Sequence, residues 1–269
     1  SRCRVFGVAA LKHIGGEVPV PALVGERIEE YHGETGELLR EVAVPHPGRI
    51  ACDEAGEVFA VSEGRVVRVN WDGGEHATII ADDLKRPGAM AVDREGRIYV
   101  YDAETDRQHV RVYGPTGELV RTVGESGPRR AGPWRPANLE RVKDLAVDRT
   151  GQLWVVEFSH TPKRVAVFDS SGQFVREHLG NTAYGGGGQL NPWDKSELFY
   201  RNMAFEIDWE TGETRLRGLT TVGPAAPGEE PFVVDGRTYL VTVGQGHQPT
   251  SKAGVVYLYD REACRARMV

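Results

Sequence analysis

Residues 88–124 have the sequence GAMAVDREGRIYVYDAETDRQHVRVYGPTGELVRTVG, and residues 143–180 have the related sequence KDLAVDRTGQLWVVEFSHTPKRVAVFDSSGQFVREHLG. Asp93 and Gly96 of the first stretch match Asp148 and Gly151 of the second, in each case 55 positions later. Within both stretches, short runs rich in Val, Ile, Tyr and Phe alternate apolar with polar residues and end at turns that contain Gly. The repeated unit is therefore predicted to be four antiparallel strands, which we name a, b, c and d in chain order.

A single four-stranded sheet cannot bury both of its faces, so such units are stable when several of them stack around an axis. The sequence predicts an all-β fold, a β-propeller of about six four-stranded antiparallel blades. The repeat resembles the NHL type, in which an AVD-x-x-G-x-hydrophobic-Y/W-V-x-D core is followed by a V-x-V-F/Y-D/G-x-x-G-hydrophobic hairpin; the match is strong for residues 88–180 and weaker for 46–82. The resemblance implies the fold and leaves the function open.

The blades fill the chain as a single domain, residues 1–269, with approximate bounds 1–45, 46–82, 87–124, 138–180, 181–219 and 220–269. In the first blade, residues 3–11 are predicted to form strand b, so strand a is missing. Either an upstream segment supplies it or the first blade is three-stranded; we expect a natural chain that is longer, with other domains. In the fifth blade, residues 197–205 (ELFYRNMAF) are predicted to form strand b.

The composition limits the classes of partner and the compartment. A net charge of -6 and a pI near 5.8 argue against nucleic acid, because phosphate-binding domains carry a basic excess. No apolar run approaches the roughly 18 residues that span a bilayer. Three cysteines are too few for a disulfide framework; Cys52 is predicted to be a core thiol, with a Cys3–Cys264 disulfide as an open alternative. We expect an extracellular or periplasmic protein, as a module of a larger secreted polypeptide.

Candidate binding residues gather on one face of the predicted propeller. The d-to-a and b-to-c connections emerge there around the mouth of the central channel, and they are the long, basic and aromatic ones, which is where function concentrates on a rigid scaffold. Guanidinium groups pair with carboxylate or sulfate, and aromatic rings stack on sugars. The predicted ligand-binding residues are Lys12, Glu104, Arg129, Arg130, Trp134, Arg135, Lys163, Trp193 and Arg201. The alternative is a solvated arginine-rich loop with Trp134 beneath it as an apolar anchor.

Three histidines also fall in predicted b-to-c connections. His13, His160 and His247 would suit a transition metal or supply a general base if they converged on the channel mouth. The alternative is that they are exposed or hydrogen-bonded locally, since no HxH or HxxxH spacing supports a metal. In an enzyme, His160, His247 or Tyr184 would abstract a proton, and an arginine would neutralise a substrate carboxylate.

The repeated aspartates are predicted to be structural. Asp53, Asp93 and Asp148 occupy the same a-to-b turn, where an Asp side chain accepts hydrogen bonds from turn N–H groups. The favoured function is a non-catalytic recognition module for a glycan or a partner protein. The alternative is a polysaccharide lyase or hydrolase that acts on an acidic glycan. Neither function requires a cofactor, although a metal at the channel mouth stays open.

Overall fold

The computed structural model describes residues 5–8, 19–159, 162–180, 188–222, 230–241 and 254–269. These residues form strands and turns, with no helix among them. The first sheet contains β1 (Val5–Val8), β2 (Pro19–Val24), β3 (Arg27–His32) and β4 (Leu38–Ala43). The second contains β5 (Pro47–Cys52), β6 (Val58–Ser62), β7 (Arg65–Arg68) and β8 (Ala77–Ile80). The third contains β9 (Pro87–Val92), β10 (Ile98–Asp102), β11 (His109–Tyr113) and β12 (Leu119–Val123).

The remaining strands form three further sheets. The fourth sheet contains β14 (Val142–Val147), β15 (Leu153–Glu157), β16 (Arg164–Phe168) and β17 (Phe174–Leu179). The fifth contains β18 (Gln189–Leu190), β19 (Glu197–Tyr200), β20 (Met203–Ile207) and β21 (Thr214–Leu219), with the short β13 (Gly132–Pro133) added beside β21. The sixth contains β22 (Glu230–Val234), β23 (Arg237–Val241), β24 (Val256–Asp260) and β25 (Arg265–Met268).

Apart from the added β13, the strands of every sheet are adjacent in chain order, and the pairings given for them are antiparallel. This is the strand order of a propeller blade, so the predicted fold class, an all-β propeller of about six four-stranded blades, is confirmed. Each sheet has a b–c end, where strand b is joined to strand c and the chain leaves strand d. Its opposite a–b end carries the a-to-b and c-to-d turns.

The first four sheets make one compact unit, which comprises the described residues within 1–128, 137–158 and 164–178. The first strands of successive sheets, β1, β5, β9 and β14, contact one another. Between the third and fourth sheets the core is built from buried residues such as Tyr99, Val110, Leu145 and Phe168. These residues come from alternate positions of their strands, as the period-two pattern predicts.

The fifth and sixth sheets make a second compact unit, which comprises the described residues within 129–136, 159–163 and 179–269. Its core includes Phe199 and Tyr259, whose rings meet edge to face with centroids 5.0 Å apart. Cys264 packs in the same cluster as a free, buried thiol, and burial raises its pKa. The alternative of a Cys3–Cys264 disulfide is therefore wrong for Cys264. Cys3 lies outside the described residues.

The first blade differs from its prediction. Val5–Val8 is the first strand of the sheet rather than the second, and β2 (Pro19–Val24) pairs with β1 on one side and with β3 on the other. The sheet is therefore four-stranded, and the prediction of a missing strand a is wrong. The prediction failed because β2 contains Pro19 and Pro21, and proline is rare in strands paired on both sides.

The fifth blade also differs. The predicted strand b, residues 197–205, is two strands, β19 and β20, joined by the two-residue link Arg201-Asn202. Arg201 has a φ of +55°, a left-handed conformation that tight hairpins require. The second and sixth blades, in contrast, have the predicted Glu63-Gly64 hairpin and the predicted strands on either side of the 242–255 connection.

No helix that could cross a membrane is found among the described residues.

Candidate ligand-binding site

The insertion between the third and fourth blades is fixed to the fifth blade. Its β13 pairs with β21, and the amide of Trp134 donates a 2.7 Å hydrogen bond to the carbonyl of Arg217. The two backbones approach so closely that a Cβ on Gly218 would lie 2.2 Å from the carbonyl oxygen of Gly132. Glycine is therefore required at position 218, and the insertion is held as a strand rather than as a free loop.

Trp134 and Arg129 anchor this segment. The indole of Trp134 packs against the cluster of Met203, Leu216 and Leu219, and the guanidinium of Arg129 lies 4.8 Å from the centre of the indole ring. Arg129 is itself buried, with 7% of its surface exposed. This packing corresponds to the anchoring alternative that the sequence left open for Trp134.

The neighbours of this anchor face solvent. Arg130 and Arg135 are both exposed, one on each side of β13. The carbonyl of Ala131 accepts a 3.0 Å hydrogen bond from Nε of Arg265, which fixes the backbone beside Arg130. The sequence Arg130 to Arg135 thus presents two guanidinium groups on a backbone that is hydrogen-bonded on both sides.

The b–c end of the fifth sheet contributes the link Arg201-Asn202. Asn202 is almost fully buried: its Nδ2 donates to the carbonyl of Thr221 at 2.9 Å, and its own carbonyl accepts from the amide of Thr220 at 2.7 Å. Its Oδ1 and the hydroxyls of Thr220 and Thr221 are buried without a hydrogen-bond partner among the described residues. Because Met203 and Gly132 both pair with Leu219, Arg201 and the start of β13 lie at the same end of this sheet.

Two carboxylates at b–c ends are buried, as catalytic carboxylates often are, but they accept hydrogen bonds that fix the backbone. Asp102 is fully buried, and its carboxylate accepts hydrogen bonds from the amides of Lys85 and Arg86 and from Arg107. Burial acts to raise the pKa of Asp102, but these hydrogen bonds outweigh it and lower the pKa. Glu157, 55 positions later, accepts in the same way from the amide of Glu140 and from Arg164. Each carboxylate ties the preceding d-to-a connection to strand b.

A buried histidine lies beside Asp102 and was missed by the sequence analysis. His109 pairs with Asp102 across β10 and β11, and its Nδ1 lies 3.0 Å from the carbonyl of Arg107, which makes Nδ1 the donor. Its Nε2 has no hydrogen-bond partner among the described residues. Burial lowers the pKa of His109. His109 lies in a strand, whereas the candidate histidines were chosen because they fall in predicted loops. The sequence pattern therefore did not indicate it.

The repeated aspartates are structural, as predicted. Oδ1 of Asp93 accepts from the amides of Glu95 and Arg97, and Asp53 and Asp148 make the same pair of bonds in their own turns. At Asp148, burial opposes ionisation, but hydrogen bonds led by those from Thr150 and Trp154 lower the pKa to about 2.

Apart from Trp193, the predicted site residues fall into three groups. Arg129, Arg130, Trp134, Arg135 and Arg201 belong to the fifth sheet and its added strand, and Lys163 belongs to the same compact unit, where its carbonyl accepts from the amide of Gly180. Glu104 belongs to the other unit, and its carboxylate accepts from the amide of Thr105. The residues Lys12, His13, His160, Tyr184 and His247 lie outside the described residues.

Trp193 lies at the other end of its sheet. It sits in the turn between β18 and β19, which is the a–b end, so its predicted position on the loop-rich face is wrong. The prediction failed because β18 has only two residues and lacks the AVD pattern that marks strand a in the third and fourth blades.

No group of three or more His, Cys, Asp or Glu side chains that could hold a metal is found in the part of the chain that the structure describes. The proposed metal ligands His13, His160 and His247 are not in that part.

No protein-family model matches the chain, and no curated protein does either. Solved structures that resemble it include a nidogen/laminin complex, at 18% identity and a TM-score of 0.45, with 90% of this chain and 88% of that chain covered. A catalytically inactive virginiamycin B lyase from Staphylococcus aureus with quinupristin matches at 13% identity and a TM-score of 0.47, covering 99% and 84%. A protein of unknown function from Bacteroides caccae matches at 14% identity and a TM-score of 0.41, covering 91% and 89%.

Proposed function

We propose that this chain is a non-catalytic recognition module that binds an acidic glycan at the b–c end of its fifth blade. The observation that carries the proposal is the anchored insertion. Trp134 and β13 fix the segment, and the exposed Arg130 and Arg135 flank them. A guanidinium group pairs with a carboxylate or sulfate through two parallel hydrogen bonds. Because the backbone is already ordered, little backbone conformational entropy is lost on binding.

Arg201 extends the same cationic surface. It lies at the b–c end of the fifth sheet in a left-handed conformation, next to the buried polar groups of Asn202 and Thr220. A polymer with regularly spaced acidic groups would contact Arg130 and Arg201 together, and the affinity would decrease with salt as surface ion pairs are screened.

We assign the repeat to the NHL type on the AVD and Gly-turn motifs of residues 88–180. Acidic glycans of this kind are ligands of the cell exterior, so we also propose an extracellular or periplasmic location. A lyase or hydrolase remains an outcome of the test below, with His160, His247 and Tyr184 as its candidate residues.

The test is calorimetric titration with heparin and with polygalacturonate at two salt concentrations. In the double variant Arg130→Gln/Arg135→Gln we expect binding to weaken about tenfold or more, the loss of one to two ion pairs. The matched control Arg149→Gln/Arg267→Gln removes two exposed arginines elsewhere and should change affinity less than about twofold.

Two results would overturn the proposal. Equal losses in both double variants would mean that only the overall charge matters. Release of unsaturated or reducing sugar ends by the wild-type protein would replace the non-catalytic module with the enzyme alternative, and His160→Ala or His247→Ala would then be examined for loss of turnover.

A further inference from the structure

The a–b end of the fifth blade carries two exposed tryptophans. Trp193 lies in the turn between β18 and β19 with 72% of its surface exposed, and Trp209 lies in the turn between β20 and β21 with 62% exposed. Tryptophan is highly buried on average in folded proteins, so two indoles this exposed are unusual. Both turns belong to one sheet and emerge at the same end of it.

The turn of Trp209 does not need a tryptophan. Oδ1 of Asp208 accepts from the amides of Glu210 and Thr211, and the amide of Gly212 donates to the carbonyl of Asp208. The first blade has the same turn in the sequence His32-Gly33-Glu34-Thr35-Gly36-Glu37, where the ring nitrogen of His32 takes the role of the aspartate. Gly33 stands where the fifth blade has Trp209, so the turn forms with no side chain at that position.

The turn of Trp193 does not need a tryptophan either. Oδ1 of Asn191 accepts a 3.0 Å hydrogen bond from the amide of Trp193, as Oδ1 of Asp93 does from Glu95 in the third blade. The second and fourth blades place Ala55 and Thr150 at this exposed turn position. Neither turn therefore requires a tryptophan in order to fold. In the other blades that have the same turns, small or polar residues occupy the two positions.

The charges around the two indoles are mainly negative. The two turns, residues 191–196 and 208–213, carry four carboxylates and one ammonium group, that of Lys195. Asp194 is paired with Arg261 of the neighbouring sheet at 2.7 Å, and Asp208 caps its own turn. Glu210 and Glu213 have no ion-pair partner among the described residues, and both are exposed. These two carboxylates belong to the same turn as Trp209.

We propose that Trp193 and Trp209 form a second binding surface, which takes an extended basic segment of a partner protein. A Lys or Arg side chain placed over an indole is attracted to the face of the ring, and Glu210 and Glu213 supply the opposite charge. Since neighbouring strands are about 4.8 Å apart, the two turns lie roughly 10 Å from each other. An extended segment spans that distance in about three residues.

This surface is distinct from the proposed glycan site, because it lies at the opposite end of the same sheet and has the opposite charge. Its occupant is identified by charge complementarity. A neutral sugar polymer would use the indoles but not the carboxylates, and an acidic polymer would be repelled.

The test uses a decapeptide of alternating arginine and glycine, with an alternating glutamate and glycine peptide as its charge-reversed counterpart. Binding is followed by tryptophan fluorescence and calorimetry on the whole chain. We expect the variant Trp193→Ala/Trp209→Gly to bind the arginine peptide about tenfold more weakly, and Glu210→Gln/Glu213→Gln to show a similar loss. The glutamate peptide should not bind.

The matched control is Glu34→Gln/Glu37→Gln, which makes the same change in the Glu-Thr-Gly-Glu turn of the first blade, where no tryptophan is present. It should retain binding within about twofold. An equal loss in the control would overturn the proposal in favour of non-specific attraction to an acidic protein. Trp-dependent binding of cellohexaose, without Trp-dependent binding of the arginine peptide, would assign the surface to a glycan.

The two proposals fail independently. Arg130→Gln/Arg135→Gln should leave the arginine peptide bound while it weakens heparin. Self-association that is lost in Trp193→Ala/Trp209→Gly, measured by sedimentation, would show that a second copy of the chain occupies the surface and would also overturn the proposal.

Discussion

The guanidinium of Arg129 lies 4.8 Å from the centre of the indole ring of Trp134, and this indole packs against the fifth sheet. Arg129 therefore has a structural role, since it covers the ring that anchors the insertion. Arg130 and Arg135, in contrast, are exposed to solvent. A buried cation on an aromatic face and an exposed cation beside it have different roles, although the sequence presents them as one arginine-rich loop.

Replacement of Trp134 by alanine should lower the free energy of unfolding by about 2 kcal/mol, less than for a fully buried tryptophan because Trp134 is only half-buried. Urea unfolding measures the change. Trp193→Ala is the control: its indole is exposed, so its effect should stay within about 0.5 kcal/mol. Equal losses for both variants would contradict the anchoring role of Trp134.

Gly218→Ala should release β13 from β21. The added Cβ would lie 2.2 Å from the carbonyl oxygen of Gly132 and 2.7 Å from Sγ of Cys264, so one of the two backbones must move. We expect faster hydrogen exchange at the amide of Trp134, which donates to Arg217. Exchange at the amide of Asp93, which lies in the other compact unit, should be unchanged. Unaltered protection at Trp134 would show that the close approach is not maintained in solution.

Asp102→Asn should be strongly destabilising. The carboxylate is buried and accepts from three backbone amides and a guanidinium, so the amide side chain of asparagine leaves at least one of these donors unsatisfied. The expected loss in free energy of unfolding is about 2–3 kcal/mol. Asp106→Asn removes one charge from the exposed pair with Lys85, and it should change the free energy of unfolding far less, because surface ion pairs contribute little to stability. A small effect at Asp102 would mean that the connection is held by other contacts.

The stability of the protein should decrease between pH 7.5 and pH 5, partly because of His109. Burial lowers the pKa of His109 in the folded state, against the contribution of its hydrogen bond to Arg107. The unfolded chain then binds the proton more readily, so the stabilisation is complete above the unfolded value of about 6.5. It is lost as the pH falls toward the folded pKa.

The measurement is the urea midpoint at both pH values for the wild type and for His109→Gln. The carboxylates Asp102 and Asp148 have lowered pKa values and remain ionised throughout this range. The wild type should therefore lose more stability than the variant on acidification. Parallel pH profiles for the two proteins would show that His109 does not titrate differently on folding.

The local pattern was sufficient wherever the repeat is regular. The 55-residue spacing placed the third and fourth blades, and the aspartate turns at positions 93 and 148 were assigned correctly, because a turn depends on residues within a few positions of one another. The pattern was insufficient in the first and fifth blades. In the first blade, β2 was not predicted because it contains Pro19 and Pro21. In the fifth blade, β18 was not predicted because it has only two residues, so Trp193 was placed at the wrong end of its sheet.

The candidate site could be predicted only in part. The sequence alone singled out the arginine- and tryptophan-bearing insertion, because its composition departs from the repeat. It could not indicate that this segment pairs with β21, some 85 positions later, since that pairing depends on the small size of Gly218 and on a sheet formed by residues distant in the chain. The exposure of Trp209 could not be predicted from the sequence either, because exposure depends on which residues are neighbours in space.

The sequence by itself thus determined the all-β class, the number of blades and the structural aspartates, because strand alternation and turn chemistry act between near neighbours in the chain. The tertiary structure decided which arginine is buried under which ring, which carboxylates hold connections, and which tryptophans face solvent. These depend on burial and hydrogen-bond partners from distant segments, which no local pattern specifies.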